Sequence, residues 1–134
     1  MSEIKIKVEI MTPERPLASE DASEVNFPAV DGYMGVLPEH TPLVAELGIG
    51  EVRIVREGQE LRFMVNGGFV QVAPDRVTLM ANEAEAAGEI DRDKAQADLK
   101  QSEEDLAKAE LPDEVDAALD LAKTAETRID LLDK

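Results

Sequence analysis

The sequence predicts two structural parts: an N-terminal antiparallel β-sandwich, or flattened barrel, followed by a C-terminal antiparallel helical hairpin. All eight glycines occur at or before Gly88, and all four aromatic residues occur at or before Phe69. The 46 residues after Gly88 contain one proline and no glycine. Because glycine, proline and β-branched residues favour strands and turns, whereas alanine, leucine and charged residues favour helices, we assign residues 1–86 to a sandwich domain and residues 89–134 to a helix-turn-helix arm.

Alternation of hydrophobic and charged residues predicts the strands. Near the N-terminus, β-branched residues recur at every second position, which is the period of a half-buried strand: Ile4, Ile6, Val8 and Ile10. Turn sequences, including the tripeptide Asn66-Gly67-Gly68, separate the further candidate strands: 15–19, 23–27, 34–37, 43–47, 51–55, 61–65, 69–72 and 77–81. Short strands at this spacing are typical of a sandwich or barrel whose neighbouring strands run antiparallel.

Helical periodicity begins after Gly88. Small or hydrophobic residues recur every three or four positions in two stretches: Ala95, Leu99, Ser102, Leu106 and Ala109 in the first, and Val115, Ala118, Ala122, Ala125, Ile129 and Leu132 in the second. The sequence Leu111-Pro112-Asp113 separates the two predicted helices. Asp91 suits the N-cap of the first helix, and Ile90 before it suits a hydrophobic staple with Ala95.

The two helical stripes consist mostly of alanine. Alanine permits close approach but removes little apolar surface from water, so we expect the hairpin to be only marginally stable when it is undocked. Two interpretations remain open at this point. The arm either moves, as low-stability elements of regulated proteins do, or packs permanently against the sandwich.

Charge and composition exclude several classes of function. The formal net charge is −16, and each half of the chain, divided after Gly88, carries 15 acidic and 7 basic residues. No basic stripe is present, so nucleic-acid binding and attraction to an anionic membrane surface are disfavoured. The absence of cysteine excludes disulfides and thiolate metal sites. No leader sequence and no long apolar segment is visible, so we expect no direct membrane insertion.

Candidate catalytic chemistry is sparse. His40 is the only histidine, and no cluster of potential ligands accompanies it in the sequence, so a structural or interface role is favoured over a catalytic or metal-binding one. Gly67 and Gly68 stand between two predicted strands, whereas a phosphate-binding loop requires a strand followed by a helix. We interpret them instead as backbone positions that need positive φ or close strand approach. An enzyme is therefore the third hypothesis, resting on His40 alone.

Five segments, in order along nearly the whole chain, carry a resemblance to a known family. They read GYMGVLPEHTPL at residues 32–43, GIGEVRI at 48–54, FMVNGGFVQV at 63–72, VTLMA at 77–81 and EID at 89–91. Together they resemble the epsilon subunit of F-type ATP synthases. The resemblance implies a non-catalytic subunit of the central stalk, which binds the gamma subunit and the c-ring and couples ion-driven ring rotation to ATP synthesis. It also implies that the arm regulates ATP hydrolysis, contacting the alpha/beta catalytic head when it extends.

The resemblance also assigns candidate contact residues. It implies a ring-facing loop of four residues: Asp31, Gly32, Tyr33 and Met34. It implies two residues at the interface with the gamma subunit: His40 and Thr41. Tyr33 stands where a polar or charged residue often occurs, and an amphipathic tyrosine can contact a ring loop at little desolvation cost. The alternative is a tyrosine that packs locally at the edge of the sandwich.

Some family members bind ATP where the hairpin begins, and the resemblance places that segment at four residues here: Ile90, Asp91, Lys94 and Ala95. Lys94 stands where the family has arginine, so the planar group that grips phosphate in two places is missing. Acidic residues dominate the surroundings. We therefore expect no cofactor and do not favour ATP as a regulatory ligand.

Inhibition of hydrolysis by the arm is expected to be weak or absent. In members that inhibit, the resemblance implies, the extended second helix presents basic residues to an acidic loop of the catalytic head. Residues 113–134 contain three basic residues and seven acidic ones. Like charges repel, which disfavours that contact.

The leading hypothesis is thus a stalk subunit peripheral to the cytoplasmic face of a bacterial plasma membrane, held there through the synthase complex. The alternative is a free-standing β-sandwich binding module whose helical arm mediates dimerisation. Co-purification with a gamma subunit distinguishes the first from the second, which predicts a stable self-dimer through residues 89–134.

Overall fold

The computed structural model describes residues 4–134, so the first three residues of the predicted sandwich domain lie outside it. Eight strands come first: β1 (Ile6–Met11), β2 (Pro16–Ala22), β3 (Glu24–Ala29), β4 (Gly32–Val36), β5 (Leu43–Glu46), β6 (Ile49–Arg56), β7 (Gln59–Ala73) and β8 (Arg76–Ala86). A single 3₁₀ turn, Ala87–Glu89, leads to two helices: α1 (Arg92–Lys108) and α2 (Pro112–Leu132). The predicted fold class, a β-sandwich followed by a helical hairpin, is confirmed.

The strands form one folded sheet around a hydrophobic core. Their order is β2-β1-β8-β7-β6-β3-β4, and β5 pairs with the second half of β7. Alternate residues of β1 and β6 are buried, as the sequence pattern predicts. Val8, Val25, Phe27, Ile54 and Val70, from four different strands, are completely buried. The sandwich therefore has a hydrophobic interior formed by side chains from along the whole strand region.

β7 corrects one prediction. The sequence predicts a turn at Asn66-Gly67-Gly68 between two strands, but β7 runs unbroken through these residues and pairs with β8 in one register. The chain bends there rather than reversing: φ is 67° at Gly67 and 109° at Gly68. A Cβ on Gly68 would collide with the carbonyl oxygen of Met80. The interpretation of this pair as positions that need positive φ and close strand approach is confirmed.

The first strand differs from its prediction in two ways. It begins at Ile6 rather than Ile4, which is 63% exposed. In addition, β1 runs parallel to β8, with Val8 opposite Val77, whereas the sequence predicts antiparallel neighbours throughout. Turn sequences report only on strands that follow one another, and β1 and β8 are the first and last strands of the sheet. The remaining strand pairs are antiparallel.

The helices begin and end close to where the sequence predicts. The Asp91 side chain accepts a hydrogen bond from the Lys94 backbone N–H at 3.2 Å, which confirms Asp91 as the N-cap of α1. Pro112 is the first residue of α2, a position where its fixed φ and missing N–H are tolerated. Leu106, predicted in the buried stripe, is 43% exposed near the turn of the hairpin. The two buried residues of α1 are small: Ala95 and Ser102.

Candidate functional site

The predicted ring-facing residues lie at the tip of the β3–β4 hairpin. Asp31 belongs to the two-residue turn, while Gly32, Tyr33 and Met34 are the first residues of β4 rather than parts of a longer loop. Gly32 has a φ of 133°, which glycine adopts without strain. Met34 is half-buried against the core, and the other three predicted residues are exposed. The tip therefore projects into solvent with an acidic residue at its end.

Tyr33 is exposed yet held in place. Its side chain is 65% exposed, and its hydroxyl accepts a hydrogen bond from the Glu51 backbone N–H at 2.9 Å. Gly50 lies beneath this hydroxyl, and a Cβ there would collide with it and lie 2.9 Å from the Pro28 Cβ. The tyrosine thus packs locally across two strands. This contact supports the local interpretation, and the ring contact stays a prediction.

His40 and Thr41 lie in the connection between β4 and β5. His40 Nδ1 is 2.6 Å from the Thr41 carbonyl oxygen, so the ring nitrogen donates to that carbonyl. Glu39, with a φ of 69°, donates its backbone N–H to the Pro74 carbonyl oxygen at 2.7 Å and ties the connection to the end of β7. Among residues 4–134 no group of side chains is arranged to hold a metal ion.

A surface that sequence analysis missed borders this connection. Phe69 of β7 lies opposite Met80 of β8, and Val44 of β5 lies two pairs further along β7, opposite Gln71. Val44 is 70%, Phe69 55% and Met80 44% exposed on the outer face of the sheet. We call these three residues the apolar face patch. The sequence signal for this patch is that apolar residues occupy successive positions of a strand and so lie on both of its faces. A strand with one buried face has apolar residues only at alternate positions.

The four predicted nucleotide-binding residues do not form a cationic site. Ile90 and Ala95 are buried, and the Asp91 carboxylate caps α1. Lys94 lines a cleft of about 390 Å³ between the helices and β7–β8, together with Arg128 and three carboxylates: Glu83, Asp98 and Asp120. Acids outnumber bases in this cleft, which disfavours a phosphate group.

The arm docks on the sandwich through one small apolar cluster. α1 packs on α2, and α2 lies across the outer face of β6 and β7. Met64 of β7, Ile90 and Leu131 of α2 are buried together, with Ala87 and Leu132 packed against them. We call this set the docking cluster. Next to it, the Asn66 amide donates to the Thr124 hydroxyl at 3.4 Å.

Arg128 is the charged centre of the docked arm. Its side chain is only 13% exposed, and its three nitrogens face three different carboxylates. Nε donates to Glu85 Oε1 at 3.0 Å, while Nη2 lies 3.7 Å from Glu83 Oε2 and Nη1 lies 3.8 Å from Asp98 Oδ2. The sequence pattern does not indicate this role, because a charged residue outside a helical stripe is ordinarily solvated.

Two further ion pairs involve residues at the ends of the arm. Lys134 Nζ lies 2.6 Å from Glu51 Oε2, and Arg62 Nη1 contacts the other oxygen of the same carboxylate at 2.9 Å. The Glu51 side chain is only 15% exposed. Arg92 of α1 lies 2.7 Å from Asp133, which joins the start of α1 to the end of α2. Neither helix of the described chain is long and apolar enough to cross a lipid bilayer.

Comparison with known proteins decides the family. The sequence model of the β-sandwich domain of the ATP synthase delta/epsilon chain matches residues 5–87. The chain belongs to the ATP synthase epsilon chain family. The epsilon chain of Pelotomaculum thermopropionicum is 45% identical over 108 residues, covering 81% of each chain. The epsilon chain of Solibacter usitatus is 40% identical over 129 residues, covering 96% of each chain, so the likeness includes the arm.

A solved structure shares the fold. A chain from the Euglena gracilis mitochondrial ATP synthase, imaged as an assembly of OSCP, F1 and the c-ring, superposes with a TM-score of 0.83 at 21% identity. The match covers 97% of this chain and 82% of that one. Membership of the epsilon family makes the chain a non-catalytic subunit of ATP synthase, and the hypothesis of an enzyme built on His40 falls away.

Proposed function

We propose that the chain is a central-stalk subunit that binds the gamma subunit and the c-ring and so couples ion-driven rotation of the ring to ATP synthesis. Membership of the epsilon family supports this role. The subunit is held at the cytoplasmic face of a bacterial plasma membrane by the complex. It contributes rigid surfaces rather than chemistry.

The apolar face patch is the observation that carries this proposal. Large apolar side chains exposed on one face of a sheet are typical of a protein interface, and methionine and phenylalanine are enriched in such surfaces. The connection holding His40 and Thr41 leads directly into β5, which contributes Val44 to the patch. The residues predicted to face the gamma subunit thus lie close in sequence to the apolar face patch.

Co-purification with the gamma subunit tests the proposal. Phe69→Glu or Met80→Glu places a charge in the interface and is expected to weaken gamma binding about tenfold or more. Leu119→Glu is the matched control, because Leu119 is a 50% exposed apolar residue on α2, away from the patch. Equal recovery of gamma by all three variants contradicts the proposal. A stable self-dimer through residues 89–134, with no gamma bound, favours the free-standing binding module instead.

The tip of the β3–β4 hairpin is proposed to face the c-ring. Tyr33→Asp places a second charge beside Asp31, so we expect it to weaken coupling, measured as proton pumping by the reconstituted synthase. Tyr33→Phe is the control, because it removes the hydrogen bond from the Glu51 N–H and keeps the ring. Unchanged pumping by Tyr33→Asp refutes the ring contact at Tyr33.

The arm is proposed to restrain ATP hydrolysis only weakly. Two of the three basic residues of positions 113–134, Arg128 and Lys134, are paired with carboxylates of the sandwich in the docked arm. A chain ending at Gly88 is therefore expected to leave the ATPase activity of the gamma-containing catalytic head nearly unchanged. A strong rise in activity on truncation contradicts weak inhibition.

ATP is not proposed as a ligand. The cleft beside Lys94 contains more carboxylates than cations, and the family's arginine is replaced by lysine there. Isothermal titration with Mg-ATP is expected to give no saturable heat. Tight, saturable binding overturns this part of the proposal.

A further inference from the structure

The face that α2 presents to the sandwich contains little apolar surface. Thr124, Arg128 and Leu131, spaced by four and three residues, lie on this face. With Leu132, which packs against the docking cluster, a hydroxyl and a guanidinium accompany two leucines. On the sandwich side, Met64 is the buried apolar partner. The interface between the arm and the sandwich therefore combines the docking cluster with polar contacts.

Arg128 and the carboxylates around it form the charged part of this interface. Glu83 and Glu85 point from the same face of β8, two residues apart, and Asp98 faces them from α1. Without a cation among them, the three carboxylates repel one another. Arg128 is the cation that pairs with all three, and it joins β8, α1 and α2 at one point.

We propose that Arg128, with Glu83, Glu85 and Asp98, is an ionic clasp that fastens the helical hairpin to the sandwich without any ligand. Arg128 acts as a positioning residue for the whole arm. Because the clasp is partly exposed, its strength falls as ionic strength rises. Docking of the arm is a property of this chain alone. Only a role of the clasp in regulation rests on the proposed function.

Lys123 lies on the same helix and provides a charge-matched control for Arg128. It is exposed and forms no ion pair with a carboxylate in the part of the chain described, residues 4–134. Lys123→Gln therefore removes the same charge from α2 without touching the clasp. Any effect of Arg128→Gln beyond that of Lys123→Gln reports on the position of the charge rather than on net charge.

Hydrogen exchange of the full chain, in the absence of nucleotide, tests the clasp. Arg128→Gln is expected to speed exchange of the arm's amides about tenfold, which corresponds to about 1.4 kcal/mol, and to leave the strands unchanged. Lys123→Gln is expected to change neither region by more than about twofold. Arg128→Lys restores charge without the planar fork, so partial protection is expected.

A salt series and a double substitution complete the test. Raising sodium chloride from about 0.05 M to about 0.5 M is expected to speed exchange of the unaltered arm several-fold and to have a smaller effect on Arg128→Gln, which retains the Lys134–Glu51 pair between arm and sandwich. Arg128→Gln combined with Glu85→Gln is expected to cost less than the two single changes together. The proposal is overturned if Arg128→Gln matches Lys123→Gln, if the strands lose protection with the arm, or if the arm of the unaltered chain is protected only when Mg-ATP is added.

Discussion

The interior of the sandwich and the interface beneath the arm are held together by different forces. Inside the sandwich, residues such as Phe27, Ile54 and Leu79 are completely buried, and the surrounding side chains are apolar. Beneath the arm, the docking cluster adjoins Arg128 and its three carboxylates. Burial of apolar surface changes little with salt, whereas a partly exposed ion cluster weakens as salt rises. We therefore propose that the sandwich is a permanent scaffold and that the arm is a unit that can be released.

The proposed function makes different demands on the two parts. Under that proposal, a surface that transmits force between the c-ring and the gamma subunit needs a rigid support, and the core beneath the apolar face patch provides one. An element that opens at low free energy needs few buried apolar contacts. The arm meets that condition, because the outer helix α1 buries only Ala95 and Ser102, and Leu131 is the one large apolar residue that α2 buries.

The largest expected effect comes from breaking the core. Phe27→Ala removes a completely buried ring, so the free energy of unfolding is expected to fall by about 3–5 kcal/mol in urea denaturation. Phe69→Ala, on the outer face of the sheet, is expected to cost less than about 1 kcal/mol. Similar losses for the two variants contradict the description of a sealed core with an exposed apolar face patch.

The next largest effect tests the bend in β7. Gly68→Ala puts a Cβ against the Met80 carbonyl at a φ of 109°, and is expected to destabilise the sandwich by about 2–3 kcal/mol. Gly88→Ala is the control, since nothing lies within 4 Å of a Cβ at that position. We expect it to leave the thermal midpoint unchanged or slightly raised. A tolerated Gly68→Ala shows that the strand can bend without glycine.

The smallest effect is confined to the arm. Leu131→Ala trims the docking cluster, and is expected to lower the free energy of arm docking by about 1–2 kcal/mol while the strands keep their protection from hydrogen exchange. Leu119→Ala is the control on the exposed side of α2. Equal loss of protection in strands and arm after Leu131→Ala indicates a single cooperative unit.

The sequence predicts the strands and helices because their patterns are local. The alternation from Ile6 to Ile10 and the capping residue Asp91 can each be recognised from a few neighbouring residues. The bend at Gly67 and Gly68 was predicted as a turn, since glycine pairs serve both purposes and only pairing with β8 distinguishes them. The parallel pairing of β1 with β8 joins distant segments, so no turn sequence reports it.

The candidate functional surfaces also divide into those that local sequence indicates and those that form only when distant segments come together. The hairpin tip and the connection holding His40 were found through family-like segments. The apolar face patch was missed because Val44, Phe69 and Met80 are brought together only by strand register. Arg128 was missed because its carboxylates come from β8 and α1, which are far from it in sequence, and a lone arginine on an acidic helix ordinarily points into solvent.

Native-state hydrogen exchange on the unaltered, ligand-free chain over a range of low denaturant concentrations tests the central claim most directly. The claim is that the arm opens separately from the sandwich. We expect the amides of α1 and α2 to exchange through an opening about 2 kcal/mol or more below the global unfolding that exposes β1, β7 and β8. If the amides of both regions follow one opening free energy at every denaturant concentration, the arm is an inseparable part of the fold and the claim is wrong.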